Sequence, residues 1–261
     1  PTLAETVRAA GYSTGAVIGA TVLDRATGLD RGFDDYDDRL REGADLGGDP
    51  SALERSADEV TRRALAWLES HRERDFFLWV HYYDAHTPYE PPEPFRSASP
   101  GDPYAGEIAF VDAQVGRLLD ALDRGGLDRT TLVVVVADHG EGLLDHGERE
   151  HGLLLYEETL RVPLLFAGPG VPRGLRIAEP VSLVDLRATI TAALGLPAPE
   201  TDGIDLGPLL HGRPAPPRAI LAATLFPEHE MGWSPLRAAR RGSLKAIEAP
   251  RPELYDLAVD P

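Results

Sequence analysis

Residues 131–136, TLVVVV, are apolar from Leu132 onward and too few to make a stable helix. A strand with one wet face alternates polar and apolar residues. An unbroken run suits a strand covered on both faces, and such strands belong to parallel sheets with crossover helices. Residues 76–82, FFLWVHY, read the same way, and residues 14–19 and 162–166 are further strands. Between them lie helical patterns. Residues 2–10 form one, stopped by Gly11, and residues 183–194 another. Residues 104–122 place Ile108, Val111, Val115, Leu118 and Leu122 on one stripe. Ser51 opens a helix reaching about Ser70, with Glu54 completing a capping box. Residues 28–50, rich in Gly and Asp, and the proline-rich residues 87–103 read as loops. This alternation predicts an α/β fold, a mostly parallel central sheet flanked by helices on both faces.

After about Arg213 the pattern changes. Residues 219–224, 236–241 and 244–248 read as short strands, the last two joined by a hairpin through Arg241 and Gly242. The expected organisation is a core over 1–212 and a small antiparallel subdomain over 213–261. Two short strands are marginal alone, so the hairpin should pack on the core through Leu236, Ala238, Leu244 and Ala246, with Trp233 as an anchor.

Acidic residues outnumber basic ones 43 to 26, a net charge of −17. That repels nucleic acid and anionic membranes. With no cysteine, these residues offer no disulfide, thiolate nucleophile or cysteine-bound zinc. No apolar run has transmembrane length. The chain begins at Pro1 rather than Met, which reads as a cut or processed end.

The chemistry concentrates in residues 133–152, VVVVADHGEGLLDHGEREHG. A central strand ends, and Asp138, His139 and Gly140 follow at its carboxyl end, where open α/β sheets place ligands. Neighbours on a regular strand face opposite ways, so Asp138 and His139 share an ion only where the strand breaks, and Gly140 supplies the break. A carboxylate beside an imidazole suits a divalent cation. His146-Gly147 and His151-Gly152 follow within a dozen residues. Glu141, Asp145, Glu148 and Glu150 read as solvated. A second candidate, residues 81–88 (HYYDAHTP), also leaves an apolar strand, and in a doubly wound sheet both loops open on the same edge. There His86 lies in a loop stiffened by Pro88, His81 reads as a hydrogen-bonded core histidine, and Tyr82 and Tyr83 read as packing. His71, His211 and His229 have no supporting sequence context.

With these residues the chain resembles the sulfatase family of the alkaline phosphatase superfamily over essentially its whole length. Eight segments carry the resemblance in order, among them FFLWVHYYDAHTPYEPP, YAGEIAFVDAQVGRLL, DHGEGLLDHGEREHG and LYEETLRVPLLFAGPGV. The resemblance implies metal-dependent hydrolysis of a sulfate ester, with Asp138 and His139 as metal ligands. It places His86 and His151 at the sulfate or phosphate group as catalytic residues, one of them protonating the leaving oxygen. His146 and His229 become substrate contacts, with Glu228 and Trp233 shaping specificity beside His229. The cofactor is one divalent cation, calcium first, with manganese or zinc as alternatives, and formylglycine if the nucleophile is Cys or Ser. The partner is a small anionic ester, and the implied location is exported or periplasmic.

The family's nucleophile motif, C/S-x-P-x-R or a threonine variant, does not occur in these residues, nor does the acidic pair of the first strand. Both are expected upstream of Pro1, and the 261 residues alone are expected to be inactive with weak metal affinity. The rival readings are a phosphonate or phosphodiester hydrolase or phosphoglycerol-type transferase on the same fold, and a non-catalytic binding module on this scaffold.

Overall fold

The computed structural model describes residues 1–40, 54–198 and 200–260. Two compact units divide it, Pro1–Thr131 and Leu132–Pro261.

The first unit opens with α1 (Leu3–Ala9), capped as its sequence requires. Thr2 Oγ1 accepts the Glu5 amide at 3.0 Å, and the Thr2 amide donates to the Glu5 carboxylate at 2.6 Å. The central strand, β1 (Ser13–Val17), lies between β2 (Asp35–Asp37) and β3 (Phe76–Val80), parallel to both, with Val17 opposite Val80 and Gly15 opposite Asp35. Helix α2 (Ala57–His71) packs on β1 and β3, so that Val17, Val60 and Ala64 form a core with Leu78, Val80, Tyr82 and Leu118. Short α3 (Phe95–Ala98) precedes the long α4 (Pro103–Arg124).

Several expectations need correction here. Strand β2 lies within a segment read as loop, its pattern hidden by aspartates. Burial alone would raise the Asp37 carboxyl, but hydrogen bonds and charges from Arg63 and Arg55 hold it below its usual range. Ser51 lies outside the described residues, while Glu54 and Ser56 are not helical and α2 starts at Ala57, after Ser56. The buried line of α4 runs through Gly106, Glu107, Phe110, Gln114 and Leu122, leaving Ile108 exposed.

In the second unit β4 (Val133–Val136) pairs with β5 (Leu164–Ala167), and the ladder is antiparallel. Val136 is 38% and Leu165 56% exposed. The valine run identified the strand, but an apolar run carries no information about the direction of its neighbour. Between them comes α5 (Glu157–Leu160), and after them α6 (Asp185–Ala193) and α7 (Gly207–Leu210). The chain closes with β6 (Ile220–Thr224), α8 (Phe226–Met231), β7 (Leu236–Arg241), β8 (Leu244–Glu248) and β9 (Glu253–Asp256). These four strands form one antiparallel sheet in sequence order.

The β7–β8 turn is the expected one, with Arg241 opposite Leu244 and Gly242 at φ 62°, where glycine is favoured. The inward set of β8 is not. Ala238 and Ile247 meet Leu155 in a core that Tyr156, Leu160 and Leu236 extend, whereas Leu244 and Ala246 face out and Trp233 is 64% exposed. Lys245 points inward because Glu157 receives it at 2.9 Å, beside Arg240 at 2.6 Å. No helix of the described residues is long and apolar enough to cross a membrane.

Candidate active site

The histidine loop grows from the end of β4. Gly140 donates its amide to the Thr159 carbonyl at 2.8 Å, and a Cβ there would lie 2.0 Å from the Glu158 carbonyl oxygen. Only glycine allows this approach. The loop then closes on itself, with the amides of Gly142, Leu143 and Leu144 donating to the carbonyls of Glu150, Arg149 and Glu148. Leu143, Leu144 and His146 adopt φ of 48°, 76° and 51°. Each left-handed residue costs about 1 kcal/mol or more, so the surroundings must hold it. Glu148 contributes to that hold. It is 2% exposed, and its carboxylate accepts the amides of Leu153 at 2.6 Å and Leu154 at 3.1 Å.

On this frame Asp138, His139 and His151 come together. The rings of His139 and His151 stack with centroids 3.8 Å apart. His139 Nε2 lies 3.8 Å from Asp138 Oδ1. Because a backbone carbonyl only accepts, the 2.9 Å contact to Gly140 O makes His139 Nδ1 the donor and leaves the Nε2 lone pair as the ligating position. Glu141 does the same for His151, its carboxylate lying 3.2 Å from Nδ1.

The donor chemistry of Asp138 and His139 fits part of a divalent cation's shell. Among the described residues, no group of three or more His, Asp or Glu side chains assembles a fuller one.

His146 is drawn elsewhere. It stacks on Tyr156 at 4.0 Å and contacts Glu158 at 2.8 Å, while burial and Glu253 keep the Tyr156 proton in place. His229 sits exposed on α8. The first residue of that helix, Phe226, flanks Gly152, and the Thr224 hydroxyl donates to the Gly152 carbonyl.

His86 belongs to the other unit. Its Nδ1 donates to the Thr87 carbonyl at 2.8 Å, Tyr83 stacks on its ring at 4.2 Å, and the Tyr83 hydroxyl meets Nε2 at 3.0 Å. Its amide donates to Glu107 at 3.2 Å. His81 is hydrogen-bonded, as expected, accepting the Gly19 amide at 3.2 Å.

Tyr83, read as packing, is therefore a partner of His86. Glu141 and Glu148, read as solvated, are buried and bonded, since the loop folds over them. Glu107 was missed entirely. Its signal was a lone acidic residue on the helix stripe of α4, which helical periodicity treats as an interruption.

The Sulfatase family model matches residues 1–196. The chain is similar to human arylsulfatase D, 29% identical over 185 residues, covering 64% of this chain and 31% of that protein. It is also similar to choline-sulfatase of Rhizobium meliloti, 36% identical over 168 residues, covering 60% of this chain and 31% of that protein. The chain thus spans about a third of the length of these curated relatives. A solved phosphonate monoester hydrolase from Silicibacter pomeroyi shares the fold with a TM-score of 0.76 at 21% identity, over 98% of this chain and 73% of that one. With the family model matching residues 1–196, most of this chain, the chain belongs to the Sulfatase family.

Proposed function

We propose that this chain is part of a metal-dependent hydrolase of sulfate esters. The observation that carries the reading is the stacked pair His139–His151, with each Nδ1 committed by its neighbour, Gly140 or Glu141. A loop of incidental surface histidines has no reason to fix two tautomers.

In this reading Asp138 and His139 hold the cation, which when bound supplies charge that polarises the ester and neutralises the oxygens of the transferred group. Calcium is the first choice, with manganese or zinc suited by the imidazole donor. His151, oriented by Glu141, presents Nε2 to the ester oxygens. His86, fixed at Nδ1 by Thr87, takes the same role once the ester displaces the Tyr83 hydroxyl from its Nε2, and one of the two histidines protonates the leaving oxygen. General acid help of this kind is worth roughly 10²–10⁴-fold. His146 and His229 are proposed substrate contacts. The nucleophile is proposed to come from sequence outside these residues, as a formylglycine if it derives from Cys or Ser.

The same fold in a phosphonate monoester hydrolase makes phosphorus the rival centre. The test is a panel of 4-nitrophenyl sulfate and 4-nitrophenyl phenylphosphonate on the full-length protein, with and without chelator. His151→Ala is expected to lower sulfate turnover by at least about 10²-fold, and Asp138→Asn to lower bound metal by mass spectrometry. Turnover indifferent to chelation and to His151→Ala would sink the reading. Preference for the phosphonate would assign the rival.

A further inference from the structure

Glu107 is the buried carboxyl that the chemistry above leaves unused. It is 5% exposed on the inner side of α4. One carboxylate oxygen accepts the His86 amide at 3.2 Å, and the other accepts the Glu90 amide at 2.6 Å. The two amides bracket the turn that contains Pro88.

Holding this loop against α4 does not by itself require a charge. Pro91 is fully buried and sits where a Cβ on Gly106 would come within 2.8 Å of its ring, and Tyr89 meets Tyr104 edge-on at 5.4 Å. Apolar contacts already dock the segment. Burying a carboxylate costs several kcal/mol, and a well-packed apolar side chain of similar volume is often no worse for stability. A carboxylate does what an apolar group cannot, because it fixes two particular N–H groups in direction and register.

One of those groups is the backbone of His86. The imidazole is held independently by the Thr87 carbonyl and by Tyr83. With both the amide and the ring fixed, the histidine has one place to be.

We propose that Glu107 is a positioning residue for His86, clamping the 86–90 turn so that the imidazole meets the ester in register. This rests on the reading of His86 as a substrate contact.

The test is a double-mutant cycle in the full-length protein with 4-nitrophenyl sulfate, comparing wild type, Glu107→Gln, His86→Ala and the double variant. Glu107→Gln keeps the volume but replaces one acceptor with an NH₂ group. It is expected to lower kcat/KM by about 10- to 100-fold, the effect of a displacement near 1 Å, with the chain still folded at the assay pH. The double variant is expected to be no slower than His86→Ala alone, since Glu107 acts through that residue.

Losses that multiply would overturn the proposal, as would wild-type kcat/KM in Glu107→Gln while His86→Ala is impaired. Wild-type kcat/KM in His86→Ala would instead remove the reading of His86 and the proposal with it. Should Glu107→Gln fail to fold, amide exchange in the wild type decides. The His86 and Glu90 amides are expected to exchange slowly, and exchange as fast as in an unstructured peptide would overturn the clamp.

Discussion

Glu107 carries its carboxyl largely out of water, and burial pushes it up to about 7, with the charges of Asp84 and Glu54 adding to the effect against the amides of Glu90 and His86. Asp84 is likewise pushed up to about 6, chiefly by burial. Both values lie above the usual carboxylate range, so the folded chain holds protons that the unfolded chain has released. The stability tied to these protons is fully present below about pH 4 and lost as pH rises through 6 to 7. A glutamine at position 107 does not titrate. The stability of Glu107→Gln relative to wild type is therefore expected to rise by about 1–2 kcal/mol between pH 5 and pH 7. Urea midpoints at both pH values measure it, and a pH-independent difference would show that burial does not raise the Glu107 carboxyl. At Gly140 the constraint is steric. Gly140→Ala drives a methyl group into the Glu158 carbonyl, and the expected cost is about 3 kcal/mol or more, read in a thermal melt. Neither effect is written in neighbouring residues, since Glu107 lies 21 positions from His86 and Gly140 meets Glu158 only once the loop has folded.

Among the elements, the C-terminal sheet shows what periodicity conveys and what it omits. The strands β7 and β8 and their Gly242 turn were legible, because a two-residue turn and β-forming runs are local features. The buried face of β8 was not, because a period of two fits either face equally well. Packing against α5 chose between them. Ile247 joins Leu155 and Ala238, and Lys245 goes inward to Glu157, 88 positions earlier. Glu157→Ala should accordingly cost about 3 kcal/mol, because it strands a buried ammonium. Lys245→Met in the Glu157→Ala background should restore much of the loss. Equal stabilities of Glu157→Ala and wild type in chemical denaturation would mean that Lys245 reaches water. Limited proteolysis between α7 and β6 should leave the sheet attached to the 155–160 segment through this core.

For the whole molecule, the expected outcome is that the purified 261 residues bind a divalent cation weakly and do not turn over 4-nitrophenyl sulfate. They contain no C/S-x-P-x-R nucleophile, and covalent catalysis needs its nucleophile. Turnover by these residues alone, followed at 405 nm (the absorbance of nitrophenolate), would place the nucleophile among them. The sequence by itself determined the α/β class, the presence and apolar pattern of the long helices and the loops that hold Asp138, His139, His151 and His86. Those features depend on residues a few positions apart, through hydrophobic period, turn-forming glycines and strand ends. Only the tertiary structure decided that Asp-rich β2 is a strand, that β4 runs antiparallel to β5, and that Glu107, Glu141 and Glu148 are buried partners rather than solvated charges. A charge is tolerated in such places when a distant amide, imidazole or guanidinium meets it, and those partners come together only as the chain folds.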